Sequence, residues 1–387
     1  MTFASSNRAA LSIIEEVTMG VTPSNPTFKA LRYKGESLNY NVSNIVSEEI
    51  RDDRNTSELI QVGADVSGDI DFELSFGPFN DLLEGVLASN WSTLVNIAAA
   101  TDIAVVNGTP DQMTSSITNF VTAGLVAGQW VKVAGFSNAV NNGYHRLSAV
   151  AANALSFSQT TLTTEAAGAS ITITGTMLRN GTTMKSYTIQ RYLKDIVKYF
   201  NFLGCAANTM SLDLKTNQIL TGKMGFMGLS STVSGSQTSG ATITAAATNT
   251  PMNAVANVAS IQQDYAAMTA KFNSLTVNVA NNIRAQDAIG TLGHVGLSLG
   301  KIDVSGNIEL YFEDSTMYDK YIAATAFSFS FRVVDAEGNA YIVTIPRAKF
   351  ESGSVVAGGI DTDIMFSASW RGVYDSTSGC TIQIDKF

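Results

Sequence analysis

The residues able to do acid–base or nucleophilic chemistry are few: two histidines, His145 and His294, and two cysteines, Cys205 and Cys380. A general base or a metal site needs an imidazole or thiolate with a partner at reachable spacing. His145 follows the turn sequence Asn141-Asn142-Gly143-Tyr144, and His294 sits in the glycine-rich stretch from Gly290 to Gly300. Neither lies beside a nucleophile motif or a second ligand, so both read as surface or loop-packing histidines. The cysteines are far apart, with no CxxC, which predicts free thiols in a reducing compartment. Gly300-Lys301 fails as a phosphate loop, because Val295 stands where the first glycine is needed and Ile302 replaces Ser or Thr. The run from Gly222 through Gly225 to Gly228 lacks the opening GxG of a dinucleotide turn and reads as a strand relieved by glycine. Carboxylates abound, yet the three tryptophans, Trp91, Trp130 and Trp370, are scattered and build no sugar platform. The sequence therefore names no catalytic residue, no cofactor and no metal ligand.

Composition points elsewhere. Charged residues make up only 15% of the 387, with Ser, Thr, Asn, Ala and 31 glycines filling the surface positions, which suggests faces covered by other copies of the chain. A net charge of −9 is the wrong sign for gripping a phosphate backbone. The start of the chain has Glu15 and Glu16 where a signal peptide would be apolar, and no apolar run reaches bilayer length, so a soluble protein is expected, neither exported by a leader nor inserted in a membrane.

The elements behind this surface are mostly strands. In Asp69-Ile70-Asp71-Phe72-Glu73-Leu74 acids alternate with large apolar residues, placing three carboxylates on one face and three apolar side chains on the other. Alternation returns at 38–46, 171–174, 187–193, 211–214, 275–279, 308–313, 327–333, 341–345 and 363–370. Residues 78–89 carry apolar side chains at helical spacing and predict one amphipathic helix. Residues 189–203 fit helix or strand by period alone; the repeat described next favours a strand pair.

Val66-Ser67-Gly68-Asp69-Ile70 recurs as Val304-Ser305-Gly306-Asn307-Ile308, an offset of 304 − 66 = 238, and Leu38-Asn39-Tyr40-Asn41-Val42 matches Leu275-Thr276-Val277-Asn278-Val279 at 275 − 38 = 237. Asp81 then aligns with Asp319, where Ser315 or Thr316 is placed to cap a matching helix. A period this long means a duplicated domain. The expected organisation is mainly β. Residues 1–91 with 184–230 form a first sandwich with an N-terminal arm, and 92–183 an inserted β-barrel or sandwich around an Asn-Gly turn. Residues 231–272 form an extended arm ending in a short helix (Ile261, Tyr265, Met268, Phe272), and 273–387 a second sandwich; each sandwich has one flanking helix.

The segments Glu16-Val17-Thr18-Met19-Gly20-Val21-Thr22-Pro23, Leu31 to Leu38, Ser47 to Arg54 and the Val66-Ser67-Gly68 strand together resemble the major tail tube proteins of long, non-contractile-tailed bacteriophages. The resemblance covers about residues 10–92 well and the rest loosely. It implies rings whose inner sheets join in one barrel, trimeric and pseudo-six-fold where the core is duplicated, stacked into a tube for double-stranded DNA. It also implies contact with tape measure, tail terminator and distal tail proteins, and residence in the virion after assembly in the host cytoplasm. The 92–183 insertion departs from the simplest form of that family.

Two groups of residues then acquire candidate roles. Asp69, Asp71 and Glu73, with Glu309 and Glu313, would line the lumen and repel DNA phosphates; alternatively they are the wet face of a half-buried strand. Glu48, Glu49, Arg51, Asp52, Asp53 and Arg54, with residues 1–30 and the shorter counterpart from Ile283 to Gly293, are candidates for contacts between stacked rings, or else an ordinary solvated loop. A surface adhesin or baseplate-type β-protein is the alternative function, and a carbohydrate-active β-sandwich the third.

Overall fold

The computed structural model describes residues 3–159, 161–268 and 270–387. Period-two alternation carries the N-terminal third into β1 (Ala9–Glu15), β2 (Thr27–Leu31), β3 (Gly35–Glu36), β4 (Asn39–Val46) and β5 (Leu59–Glu73), followed by α1 (Asn80–Leu87). Within the N-terminal segment residues 9–15 and 27–31 are no loose arm, because β1 pairs with β2 and with a later strand within a sheet. The helix turns Leu82, Leu83, Val86 and Leu87 inward, all nearly inaccessible, each worth roughly 1.5–3 kcal/mol of apolar burial. Ala88 in the left-handed region ends it.

The insertion supplies β6 (Val95–Ala100), β7 (Ile103–Val106), β8 (Gln112–Ser115), β9 (Trp130–Ala134), β10 (Gly143–Ala151), β11 (Ala154–Phe157) and β12 (Ile171–Arg179). They pair in the order β6, β12, β9, β10, β11, β8, β7 around their own core, which includes Phe120, Val131, Phe157 and Ile173. The Asn142 side chain bridges the N–H and C=O of Phe136 across the β9–β10 connection.

The chain returns through β13 (Tyr187–Leu193), β14 (Lys198–Lys215), β15 (Thr221–Gly228) and β16 (Ser230–Ser234). The β13–β14 hairpin settles the ambiguous 189–203 segment as strands. Next come β17 (Thr242–Thr244), β18 (Val258–Gln263) and β19 (Ala266–Ala267). Among the described residues the short helix expected at the end of 231–272 is not found: Ile261 lies in β18 and Tyr265 in the tight turn to β19. The helical spacing there was incidental, because strand pairing satisfies the backbone first.

The last third holds β20 (Phe272–Ala280), β21 (Arg284–Asp287), β22 (His294–Ser298), β23 (Asp303–Tyr311), α2 (Thr316–Ile322), β24 (Phe327–Val334), β25 (Ala340–Val356), β26 (Met365–Gly372) and β27 (Gln383–Lys386). Ser315 stands at the α2 N-cap, but its hydroxyl turns to Asp319, and the Asp314 carboxylate accepts the Thr316 N–H instead.

One pairing pattern occurs twice. β5 pairs with β15 and β15 with β14, as β23 pairs with β26 and β26 with β25. The register slips at Asn208 of β14 and at Glu351 of β25, 351 − 208 = 143 positions apart. It slips again between Tyr187 and Ile189 and between Phe327 and Phe329. Tyr40 opposite Val66 and Val279 opposite Val304 make β4 and β20 equivalent at 279 − 40 = 239, two residues from the 237 read in the sequence and therefore on the same faces. The glycine of each Val-Ser-Gly has one physical reason. A Cβ on Gly68 would lie 2.5 Å from the Ser37 carbonyl oxygen, and one on Gly306 would lie 1.9 Å from that of Thr276, its counterpart. Both halves contribute to one apolar core that runs from Leu11 to Ile384.

Candidate functional site

Strands β4, β5, β15, β14, β20, β23, β26 and β25 are hydrogen-bonded in that order. The seam between the halves is β14 against β20, with Ser211 opposite Asn278 and Leu212 opposite Val277. One face of this eight-stranded surface is apolar, with Ile70, Phe72, Leu212, Val277, Ile308 and Trp370 buried. The other is a carpet of Ser, Thr and Asn set with charges, as the alternation requires.

The expected stripe of acids lies on that polar face, and it is less uniform than the sequence implied. Lys223 of β15 reaches between Asp69 and Asp71, its Nζ 3.4 Å from each carboxylate, and is itself half exposed. The two carboxylates raise the Lys223 pKa, Asp71 most. Glu73 closes β5, and Glu309 accepts a 2.6 Å bond from the Asn273 amide. Glu313 does not share the strand phase: β23 ends at Tyr311, and Glu313 lies two residues beyond it, exposed. Arg371 of β26 bonds both Asp303 and Glu351. Lys223 and Arg371 were invisible to single-strand reading, because each pairs with carboxylates on other strands, Lys223 with Asp69 across 154 positions and Arg371 with Asp303 across 68 and with Glu351 across 20.

Glu48, Glu49, Arg51, Asp52, Asp53 and Arg54 are all exposed at the tip of the β4–β5 hairpin. Arg51 holds Asp53 in a bidentate pair, at 2.9 and 2.6 Å, which pushes the Asp53 carboxyl well below its usual range. The shaft of this hairpin carries features the charge pattern hid. Val42, Ile45, Val46, Leu59, Ile60 and Val62 are each about half exposed, and Ile50 at the tip is 98% exposed. A projecting ribbon that shows apolar side chains along its length is unusual for an isolated surface. The shorter counterpart, the β21–β22 hairpin, exposes Ile289 and Leu292, and pairs His294 with Asp287 at 2.6 Å. The apolar run Leu59-Ile60-Gln61-Val62 was the available signal in the sequence.

His145 is neither a surface nor a turn residue. It is buried in β10 edge-on to Phe157, with its pKa lowered by burial. Both cysteines are buried free thiols, and burial raises their pKa values. Among the described residues no group of three or more His, Cys, Asp or Glu is placed to hold a metal ion, and no helix is long and apolar enough to cross a membrane.

Among the described residues this polar-faced sheet ends at β4 on one side and at the second half of β25 on the other, and hairpins with exposed apolar side chains extend from it. No curated protein matches the sequence. A family model described as phage tail tube protein matches residues 6–372, nearly the whole length, so the chain belongs to the phage tail tube protein family.

Proposed function

We propose that this structural tail protein is a duplicated tube subunit of a long, non-contractile tail that closes as a trimer and stacks into a conduit for DNA, its polar eight-stranded face turned to the lumen. The observation that carries the reading is the β14–β20 seam. It joins the last inner strand of the first half to the first inner strand of the second. The equivalent strands at the two outer borders are β25 and β4, and among the described residues β4 pairs only with β5. Exposed strand edges invite pairing, and ring closure removes them. Carrying the seam's register across by 143 and 239 positions puts Ser354 of one copy opposite Asn39 of the next, where Ser211 faces Asn278 inside the chain.

Size favours three copies. With strands about 4.8 Å apart and tilted about 40°, a barrel of 2 × 8 = 16 strands has a backbone diameter of roughly 30 Å, and one of 3 × 8 = 24 roughly 50 Å. Side chains remove about 10 Å from each, so only the larger passes a duplex about 20 Å wide with its hydration. The mixed but net acidic face offers phosphates few counter-ion-releasing contacts, so DNA slides and does not adhere. The apolar shafts and charged tips of the β4–β5 and β21–β22 hairpins supply contacts to the next ring. The 92–183 module, with its own core, lies outside this lattice of contacts. The tube meets a tape measure protein inside and terminator and distal tail proteins at its ends, after assembly in the host cytoplasm.

The test is a chain carrying Asn39→Cys and Ser354→Cys, the native cysteines being buried. Oxidation of assembled material should give covalent trimers, and negative-stain images should show rings or hollow tubes. Discrete particles with no inter-chain disulfide would overturn the assignment.

A further inference from the structure

We propose that the ion pair between Arg191 and Glu36 is an edge lock: in the free subunit it occupies the outward backbone groups of Leu38 that the neighbouring copy's β25 has to use. The inference rests on the edge assignment made under Proposed function and adds what keeps that edge from pairing prematurely.

Successive residues of an edge strand point their backbone groups alternately inward and outward. Ser37 faces β5, its N–H donating to the Asp69 carbonyl at 2.9 Å, so Leu38 faces out. Its outward groups are both taken. The Leu38 N–H donates to Glu36 Oε2 at 3.0 Å, and the Leu38 carbonyl accepts from Arg191 Nη2. The same Nη2 lies 2.6 Å from Glu36 Oε2, closing a triangle of charge-assisted bonds. Arg191 comes from β13, in the other layer of the sandwich, and rests its guanidinium 5.0 Å from the Phe202 ring. Both charged side chains are mostly covered, at 18% and 15% exposure, so the pair is held more firmly than a surface ion pair.

The internal seam shows what these positions look like when an edge is permanently closed. Glu36 corresponds to Leu275 (275 − 36 = 239), Leu38 to Val277 and Arg191 to Phe331 (331 − 191 = 140, as for Tyr187 and Phe327). Leu275 and Val277 pair with Leu214 and Leu212 of β14, and Leu275, Val277 and Phe331 are all buried. Where the seam is built in, the three positions are apolar; where it must form between molecules, two of them carry opposite charges turned inward at the edge. Inward-pointing charge on a border strand is a known means of refusing casual partners. A strand that docks must displace the guanidinium from the Leu38 carbonyl and the carboxylate from its N–H. Only a partner bringing a full register of bonds, such as β25 of a second copy, recovers that loss.

The experiment measures the critical concentration for polymerisation by sedimentation. The double variant Glu36→Leu with Arg191→Met imitates the internal seam and should assemble at a concentration at least tenfold lower than the parent chain. Glu36→Gln, which keeps the shape and loses the charge, should lower it about threefold and decides the matter if the double variant does not fold. An unchanged or higher critical concentration, in a variant with the parent's circular dichroism and monomeric sedimentation, overturns the lock. The Asn39→Cys and Ser354→Cys disulfide separates the two failures. If it forms while the critical concentration stays fixed, only the lock is wrong; if it never forms in assembled tubes, the edge assignment falls and the lock with it.

Discussion

Lys223 stands directly across from Asp71 on adjacent strands, its Nζ 3.4 Å from the carboxylate, so the acidic face carries its own counter-charge. A wall of this kind is closer to neutral at short range than a row of acids, while its summed field stays negative. If this face lines the lumen as proposed, its repulsion of DNA depends on the balance of many charges and on salt, because exposed charges act over a screening length of about 10 Å at 0.1 M.

Reversing that balance should slow DNA passage without preventing assembly. Asp71→Lys with Glu309→Lys places new cations on the polar face of both halves and strands Lys223 beside another positive charge. Tubes should form, and genome release triggered in vitro should slow at least severalfold at low salt, recovering as salt rises because added phosphate contacts are salt-dependent. Unaltered release at low salt would place this face away from the DNA path.

The Val-Ser-Gly glycines should resist substitution in both halves. A methyl group at Gly306 meets a backbone carbonyl oxygen at 1.9 Å and the Trp370 ring at 2.5 Å, neither of which can yield cheaply. Gly306→Ala should cost about 1–3 kcal/mol or more, read as a lower urea midpoint. Gly359→Ala, with nothing within 4 Å of the added carbon and no positive φ, should be within about 0.5 kcal/mol of the parent.

What the sequence disclosed follows from how its signals are generated. Strand faces were readable because burial imposes a period of two, and Asp69-Ile70-Asp71-Phe72 shows it without ambiguity. Ile261, Tyr265, Met268 and Phe272 misled, because four apolar residues satisfy a helical spacing by chance while pairing of β18 with β24 decides the backbone. The charge partners of the strand residues were hidden for a different reason. Lys223 meets Asp69 across 154 positions and Arg191 meets Glu36 across 155, and no local pattern encodes such contacts. The Val-Ser-Gly repeat was legible, but its cause, a carbonyl approaching each glycine from the adjacent strand, needed coordinates.

Glu16 should anchor the N-terminal turn to the sandwich. Its buried carboxylate accepts from the Gly20 and Gly204 N–H groups and from the Ser186 and Thr188 hydroxyls, at 2.8 to 3.0 Å. Four donors suit an ionised acid and not an amide, so Glu16→Gln turns an N–H₂ group toward donors and loses two bonds. A loss of about 2–4 kcal/mol is expected, with faster hydrogen exchange across β1 and β13. A stability change under about 0.5 kcal/mol would mean the turn is held by other contacts.

The seam between the inserted module and the body should respond to pH through Asp385. This carboxyl on β27 is fully buried, and burial pushes its pKa up to about 7, against the opposing pull of the Gln383 and Trp130 N–H bonds and the Arg146 and Arg179 charges. Gln383 Nε2 donates to it at 2.7 Å and the Trp130 backbone N–H at 3.1 Å, tying β27 to β9 of the module. An unfolded aspartate titrates near ~3.9, so between about pH 4 and 7 the folded chain holds a proton that the unfolded chain has lost. Stability from this group is therefore complete below about pH 4, declines as pH rises to about 7, and is level above, a loss on the order of a few kcal/mol. Asp385→Asn removes the titration while keeping one oxygen for Trp130, at a cost of about 1–2 kcal/mol from the donor now facing Gln383. Urea unfolding at pH 5, 6, 7 and 8 should show the parent losing stability from pH 5 to about 7 more steeply than the variant, with the difference between them level from there to pH 8. Parallel slopes would mean that the nearby guanidinium groups keep Asp385 ionised throughout, and that the module is joined to the tube body by a charge that never changes.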